Sequence, residues 1–274
     1  MTVLERFVRS KTGNPEDCED IIFVNERFAA VIDGATARTC ALYDGVRPGK
    51  RAALLTQAAF EKLPEDADLS EVLECVTAEF AEYHRGNGTL PGDGGEVLTA
   101  AAALYSRRRR LVWLIGDCRC RVGELEYANP NGIDGFVAGV RSLVNQAELA
   151  KGRTEDWIMA HDPGAEFIRP LLTDQFFFQN RATERAGSFR YAAIDGRAIP
   201  VSLVRTVQLG EGDRELILSS DGYPVLGGTV SECERALAGL IAADPLCIHV
   251  NRGVKGLKPG FESYDDRAFL KLAL

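Results

Sequence analysis

The sequence predicts an α+β fold in which two antiparallel sheets pack face to face and helices cover the outside. Short apolar, β-branched segments occur in consecutive runs instead of alternating regularly with helices, which argues against a doubly wound parallel sheet. Amphipathic segments, with apolar residues three and four positions apart, lie between those runs. No repeat, low-complexity or linker-like stretch divides the 274 residues, so we expect one domain over residues 1–274.

The first half of the chain is predicted to begin with two strands, at 21–24 and 28–32, because both are short, apolar and β-branched. A helix is expected after Pro48-Gly49, through about residue 63. A second helix is expected over 69–83, where apolar residues keep a helical spacing. Residues 86–95 contain five glycines in ten positions and are predicted to form a loop.

The second half is predicted from the same two periodicities. The predicted strands are 97–105, 111–115, 118–125, 216–219, 269–274 and a strand-rich stretch at 192–209. The predicted helices are 136–147 and 230–241, with further helical signs at 165–177 inside an irregular region at 151–190.

The charge balance limits the classes of partner. A net charge of −8 and a pI of about 5.1 disfavour nucleic acids and membranes, because both are anionic. The basic run 107–110 is interpreted as a hairpin turn, with a local anion or partner contact as the alternative. Seven cysteines without metal-binding spacing, no membrane-length apolar run and no signal-peptide core favour a cytoplasmic setting. The oligomeric state is not indicated.

Acidic residues stand at the ends of the predicted apolar strands. These residues are Asp33, Asp117, Asp221, Asp265 and the pair Glu19 and Asp20. Carboxylates that converge on one sheet edge repel each other, and Mg²⁺ or Mn²⁺ relieves that repulsion because hard cations prefer oxygen ligands. A single Asp-Gly is also an ordinary turn dipeptide, so only the set as a whole predicts a metal site.

In order along the chain, these segments resemble the motifs of the type 2C, metal-dependent protein serine/threonine phosphatases. The matching segments are Glu19-Asp20 (N/M-E-D), Asp33-Gly34 (DG), Gly116-Asp117-Cys118-Arg119 (GDSR), 216–222 (LILASDG) and 265–270 (DNITVV). Each match is short and weak alone, but the order is that of the family from residue 19 to 270. The chain is therefore similar to a divergent, bacterial-type member.

The resemblance implies a four-layer α/β/β/α sandwich, with two antiparallel sheets flanked by helix pairs and a bimetal site at one end. The implied ligands of the Mg²⁺ or Mn²⁺ ions are Glu19, Asp20, Asp33, the Gly34 carbonyl, Asp117, Asp221 and Asp265. Asp33 would bridge two ions and, with Asp221, would be catalytic. Asp117 matches an aspartate that helps to bind a third, weaker metal in some members.

The implied reaction is the hydrolysis of phosphoserine and phosphothreonine in a phosphoprotein substrate, by a hydroxide shared between the two metals. The position of the family's phosphate-binding arginine, five residues before Asp20, holds Pro15, and the position of its histidine after the DG motif holds Ala35. Lys11, with Arg9 as a further option, is the candidate replacement for that phosphate contact.

Two other functions stay open. The first is a catalytically weak, phosphatase-like module that acts in signalling by docking. The second is a hydrolase of small phosphoesters. Lys11 or Arg9 within reach of the metal site would favour turnover. An exposed apolar cluster at 176–178 beside the site would favour docking.

Overall fold

The computed structural model describes residues 1–36, 42–88, 98–129, 131–182, 187 and 189–274. The strands are β1 (Thr2–Arg9), β2 (Ile21–Val24), β3 (Phe28–Gly34), β4 (Ala100–Ser106), β5 (Leu111–Ile115), β6 (Arg119–Val122), β7 (Leu125–Ala128), β8 (Arg205–Gln208), β9 (Glu215–Ser219) and β10 (Arg267–Ala273). The helices are α1 (Pro48–Lys62), α2 (Leu69–Gly86), α3 (Gly132–Ala150), α4 (Glu155–His161), α5 (Pro163–Asp174) and α6 (Val230–Ala243).

The strands form two five-stranded sheets in which each strand pair is antiparallel, so the predicted fold class is confirmed. One sheet has the order β2-β3-β4-β5-β8 and the other has the order β1-β10-β9-β6-β7. A shared core of side chains from both sheets, including Val31, Leu114, Leu218 and Leu270, packs between them.

β3 shows why its sequence is continuously apolar. Its even-numbered residues in 28–32 pack against α1 and α2, whereas Ala29 and Val31 pack against the opposite sheet. A strand that is covered on both faces needs apolar side chains at every position. Because side chains alternate along a strand, Asp33 shares the inward face with Ala29 and Val31 and ends the strand between the two sheets.

The helices complete the predicted layer order. α1 and α2 cover the outer face of the sheet that contains β3. α6 covers the other sheet, where Cys233 and Leu237 pack against Ile217 and Phe269. α3 and α5 pack against each other as a second pair. No helix among the described residues is long and apolar enough to cross a membrane.

Three predictions about strands were wrong. The segment 118–125 was predicted as one strand, but Gly123 has a φ of +59° and turns the chain between β6 and β7. The stretch 192–209 was predicted to be strand-rich, yet its only regular strand is β8. β1 was not predicted at all. Part of the predicted glycine loop, 89–95, lies outside the described residues.

The basic run at 107–110 forms the turn between β4 and β5, as predicted. Arg109 donates to the Ala67 carbonyl at 2.7 Å, and Arg110 donates to the Gly210 carbonyl at 2.6 Å. Two of the arginines in this turn therefore tie it to neighbouring loops, which is a structural role.

Candidate metal centre

The predicted acidic residues meet at one end of the sandwich because of the antiparallel pairing. In one sheet, β2 begins at this end and β3 and β5 finish there. In the other sheet, β1 and β9 finish there and β10 begins. Neighbouring antiparallel strands run in opposite directions. Residues that precede one strand and residues that follow the next therefore reach the same edge.

Asp33, Asp117 and Asp221 form the centre of the site. One carboxylate oxygen from each lies within 4.8 Å of the others. Burial, and then the repulsion between neighbouring carboxylates, raises the pKa of all three, and the pKa of Asp117 rises to about 8. Three acidic groups in this arrangement stay ionised only when a cation balances them.

Glycines allow the backbones around these carboxylates to approach closely. A Cβ atom on Gly34 would lie 2.2 Å from the Gly49 carbonyl oxygen, and one on Gly222 would lie 1.9 Å from the Asp266 carbonyl oxygen. Any larger residue would separate these chain segments. The glycines that follow Asp33 and Asp221 therefore allow the strand ends to lie close to neighbouring backbone.

Glu19 provides the clearest test of whether the site fits a metal. The residue is 0% exposed, and neither carboxylate oxygen accepts a hydrogen bond from the described residues. A Cβ atom on Gly49 would lie 2.7 Å from both Glu19 Oε1 and the Gly34 carbonyl oxygen, so these two oxygens border the same space. A buried, unsatisfied carboxylate beside a carbonyl is a favourable donor set for a hard cation. The residues present fit a divalent metal.

Asp20 differs from Glu19 because its carboxylate accepts a hydrogen bond. Its Oδ2 accepts from Ser220 Oγ at 2.7 Å, and burial raises its pKa. Ser220 Oγ also accepts from the Ala268 N–H at 2.8 Å. The bond between Asp20 and Ser220 links the two sheets at the site, and the assignment of Asp20 as a metal ligand stays a prediction.

Two lysines pair with Asp265. Lys11 Nζ lies 3.2 Å from Asp265 Oδ1, and Lys255 Nζ lies 2.6 Å from Oδ2. Both ammonium groups also donate to Thr36 Oγ1, at 2.7 and 3.3 Å. Burial alone would raise the pKa of Asp265, but Lys255 and Lys11 hold it below its ordinary value. Asp265 is therefore an acidic residue of the site with two lysines as counter-charges.

Asp266 organises the backbone that enters the site. Its two carboxylate oxygens accept from the backbone N–H groups of Lys11 at 2.8 Å and Glu19 at 2.9 Å. The side chain is buried, and its bonds span more than 240 positions of sequence. Asp266 takes the place of the asparagine in the resembling motif, and its observed role is to position the two residues that carry the Lys11 and Glu19 side chains.

Sequence reasoning missed three residues of the site. Thr36 and Ser220 are beside predicted motifs, at positions where a hydroxyl carries no signal of its own. Lys255 lies in the segment between α6 and β10, which has neither regular structure nor periodicity. Only the tertiary fold brings it to Asp265.

A groove of about 310 Å³ borders the centre. Its lining includes Arg119, Asp221, Tyr223, Arg252, Lys255 and Asp265. The groove therefore places cationic side chains next to two of the predicted metal ligands.

No protein-family model and no curated protein matches the sequence. The chain is similar to solved structures over nearly its whole length. The serine/threonine phosphatase Stp1 from Staphylococcus aureus is 14% identical, with 100% of this chain and 96% of that chain covered and a TM-score of 0.48. The Mycobacterium tuberculosis serine/threonine phosphatase PstP/Ppp is 18% identical, with 100% and 99% covered and a TM-score of 0.47. A PstP catalytic domain in complex with two manganese ions is 16% identical, with 97% and 96% covered and a TM-score of 0.47. The fold assignment rests on the two sheets themselves.

Proposed function

We propose that this chain is a metal-dependent phosphatase that hydrolyses phosphoserine and phosphothreonine in proteins. The observation that carries the proposal is the carboxylate cluster Asp33, Asp117 and Asp221, which has the unsatisfied Glu19 carboxylate nearby. These residues stand in the motifs that resemble the type 2C phosphatases, and carboxylates held this close together have no evident structural use without a cation.

The residues that would hold two Mg²⁺ or Mn²⁺ ions are Glu19, Asp20, Asp33, Gly34 through its carbonyl, Asp221 and Asp265, with Asp117 serving a third, weaker site. Bound divalent cations supply an activated water and offset negative charge on the phosphoryl oxygens. Asp33 and Asp221 orient the site because each is fixed at the end of a buried strand. Such side chains need little rearrangement when the substrate arrives.

The lysines favour turnover over a non-catalytic module. Lys11 Nζ lies 3.2 Å from Asp265 and 3.7 Å from Glu19, so a cation is within reach of the site despite Pro15 at the family's arginine position. Positive charge beside the reacting phosphate stabilises the charge that develops on its oxygens. The assignment of Lys11 as a phosphate contact stays a prediction.

The docking alternative depends on the apolar cluster at 176–178. Two of the three side chains in this cluster pack against other side chains. Phe176 lies under the Arg197 guanidinium at 3.9 Å, and Phe178 packs against Phe189 with 5.9 Å between ring centres. Phe177 is the exposed member of the three. With one largely exposed side chain among the three, the cluster gives less support to docking than the lysines give to turnover.

The test is hydrolysis of p-nitrophenyl phosphate and of a phosphothreonine peptide, with and without Mn²⁺. We expect Mn²⁺-dependent turnover that falls about a thousandfold or more in Asp33→Asn and Asp221→Asn, because both changes remove predicted ligands. Asp66→Asn, at an exposed position remote in sequence from these motifs, is the matched control and should act like the wild type. A preference for the peptide separates a protein phosphatase from a small-ester hydrolase.

Turnover that needs no metal, or that survives Asp33→Asn, would contradict the proposal. Mn²⁺ binding without any turnover would instead leave a phosphatase-like binding module.

A further inference from the structure

The two lysines on Asp265 have different surroundings. The Lys11 side chain is 7% exposed, and its ammonium group lies near four acceptors. These are Thr36 Oγ1 at 2.7 Å and oxygens of Asp265, Asp266 and Glu19 at 3.2, 3.5 and 3.7 Å. Two of these contacts, to Thr36 and Asp265, are hydrogen bonds, and the other two are ionic contacts with Asp266 and Glu19, so acidic groups surround the Lys11 charge. Its charge balances the buried carboxylates.

Lys255 has fewer partners and more solvent contact. Its side chain is 37% exposed, and its ammonium group bonds only Asp265 Oδ2 at 2.6 Å and Thr36 Oγ1 at 3.3 Å among the described residues. The same side chain lines the groove of about 310 Å³, together with Asp221 and Asp265. Lys255 therefore carries a positive charge and a spare donor at the boundary between the metal centre and the groove.

The backbone that carries Lys255 is held in place. The Arg141 guanidinium is 1% exposed and donates to the Gly253 carbonyl at 3.0 Å and the Cys247 carbonyl at 3.3 Å. A Cβ atom on Gly256 would lie 2.6 Å from Arg141 Nη2, so the chain passes directly over the guanidinium. A fixed backbone and a flexible four-carbon side chain suit a residue that must contact a ligand at a defined place.

We propose that Lys255 makes the direct contact with the phosphoryl group of the substrate, and that Lys11 neutralises the carboxylates behind it. The substrate class rests on the proposed function. A lysine ammonium group binds phosphate oxygens as a point charge and needs no bidentate geometry. The position that holds arginine in the resembling family holds Pro15 here, and Lys255 supplies the missing charge from a distant segment of the chain.

The test measures binding of inorganic phosphate to the Mn²⁺-loaded chain by calorimetry, so it does not depend on turnover. We expect Lys255→Met to weaken phosphate binding about tenfold or more, because it removes a charged hydrogen bond. Lys255→Arg keeps the charge and should retain most of the affinity. Lys258→Met, at an exposed position three residues away, is the matched control and should leave phosphate affinity unchanged.

Mn²⁺ affinity of the same variants separates phosphate contact from metal retention. Lys255→Met should bind Mn²⁺ at least as tightly as the wild type, because the substitution removes an ammonium group that competes for Asp265. Thermal unfolding of the variant reports that it is folded. Weaker Mn²⁺ binding in proportion to the loss of phosphate would overturn the inference, since Lys255 would then act through the metal.

Other outcomes would also overturn the inference. One is a phosphate affinity in Lys255→Met equal to that of the wild type. Another is the absence of phosphate binding by the Mn²⁺-loaded wild type. The third is a loss of phosphate affinity confined to Lys11→Met, which would assign the contact to Lys11. Phosphate binding that depends on Lys255 in a chain without turnover would contradict the proposed function alone. Turnover together with a Lys255-independent phosphate affinity would contradict this inference alone.

Discussion

Arg141 and Asp33 lie in two polar clusters whose charges are balanced in different ways. Around Arg141, each charged group has partners within the chain. Its guanidinium donates to Asp162 Oδ2 at 2.8 Å and to the carbonyls of Cys247 and Gly253. Around Asp33, the closest acidic groups are the carboxylates of Asp117 and Asp221, and burial and repulsion raise the pKa values of all three.

A pair of carboxylates from the two regions makes the difference explicit. Asp244, near the Arg141 cluster, accepts from the backbone N–H groups of residues 248–251, and these bonds outweigh burial and lower its pKa. Glu19 accepts no hydrogen bond from the described residues, and burial raises its pKa. A carboxylate saturated by donors stabilises the fold, whereas an unsaturated one remains available to a cation.

The largest expected effect of a substitution on stability comes from the cluster around Arg141, in which each charged group has a partner. Arg141→Met should lower the free energy of unfolding by about 3–5 kcal/mol, because it leaves Asp162 without its charged partner. Denaturant unfolding measures this change. Arg169→Met, which removes an exposed ion pair on α5, is the control and should change stability by less than about 1 kcal/mol. A loss of stability in Arg141→Met no larger than that in Arg169→Met would show that the Arg141 cluster does not stabilise the fold.

A substitution in the carboxylate cluster around Asp33 should instead raise the stability of the metal-free chain. Asp33→Asn should stabilise the metal-free chain by about 1–2 kcal/mol, because it removes a carboxyl group whose ionisation the metal-free fold disfavours. Thermal unfolding in EDTA measures this gain. Mn²⁺ should raise the melting temperature of the wild type and have little effect on the variant. A destabilised Asp33→Asn chain would show that the carboxylate is structural.

A pH dependence of stability should isolate Asp117. Its pKa in the folded chain is about 8, above the ordinary value of 3.8, so the folded state retains a proton that the unfolded state loses. Stability of the metal-free wild type should therefore fall as pH rises from about 4 to about 8, relative to Asp117→Asn. Above about pH 8 the difference should level off. A difference that stays constant with pH would contradict the raised pKa.

The parts of the fold that sequence predicts well are those with a local pattern. β3 is an apolar run that ends in Asp33-Gly34, and Asp221-Gly222 follows the apolar run of β9 after one residue, so the strand and its carboxylate can both be predicted from neighbouring residues. α2 has helical spacing and a capping box at Asp68 and Glu71. In these segments, local propensity and tertiary packing agree.

The parts that were missed depend on distant contacts. β1 mixes charged and apolar residues, lies at a sheet edge and is paired along its length with β10, so its structure follows from that partner. Residues 192–200 look like strand because they pack in the core, but their strand contact is an isolated bridge between Ile194 and Ala100. Lys255 reaches the site only because the Arg141 cluster holds its segment there.

The most direct test of the central claim is calorimetric titration of Mn²⁺ into the wild type, Asp33→Asn and Asp66→Asn. We expect about two ions per chain in the wild type and in the Asp66 control, with binding strongly weakened in Asp33→Asn. A wild type that binds no Mn²⁺, or an Asp33→Asn chain that binds it equally well, would contradict the assignment of the carboxylate cluster as a metal centre.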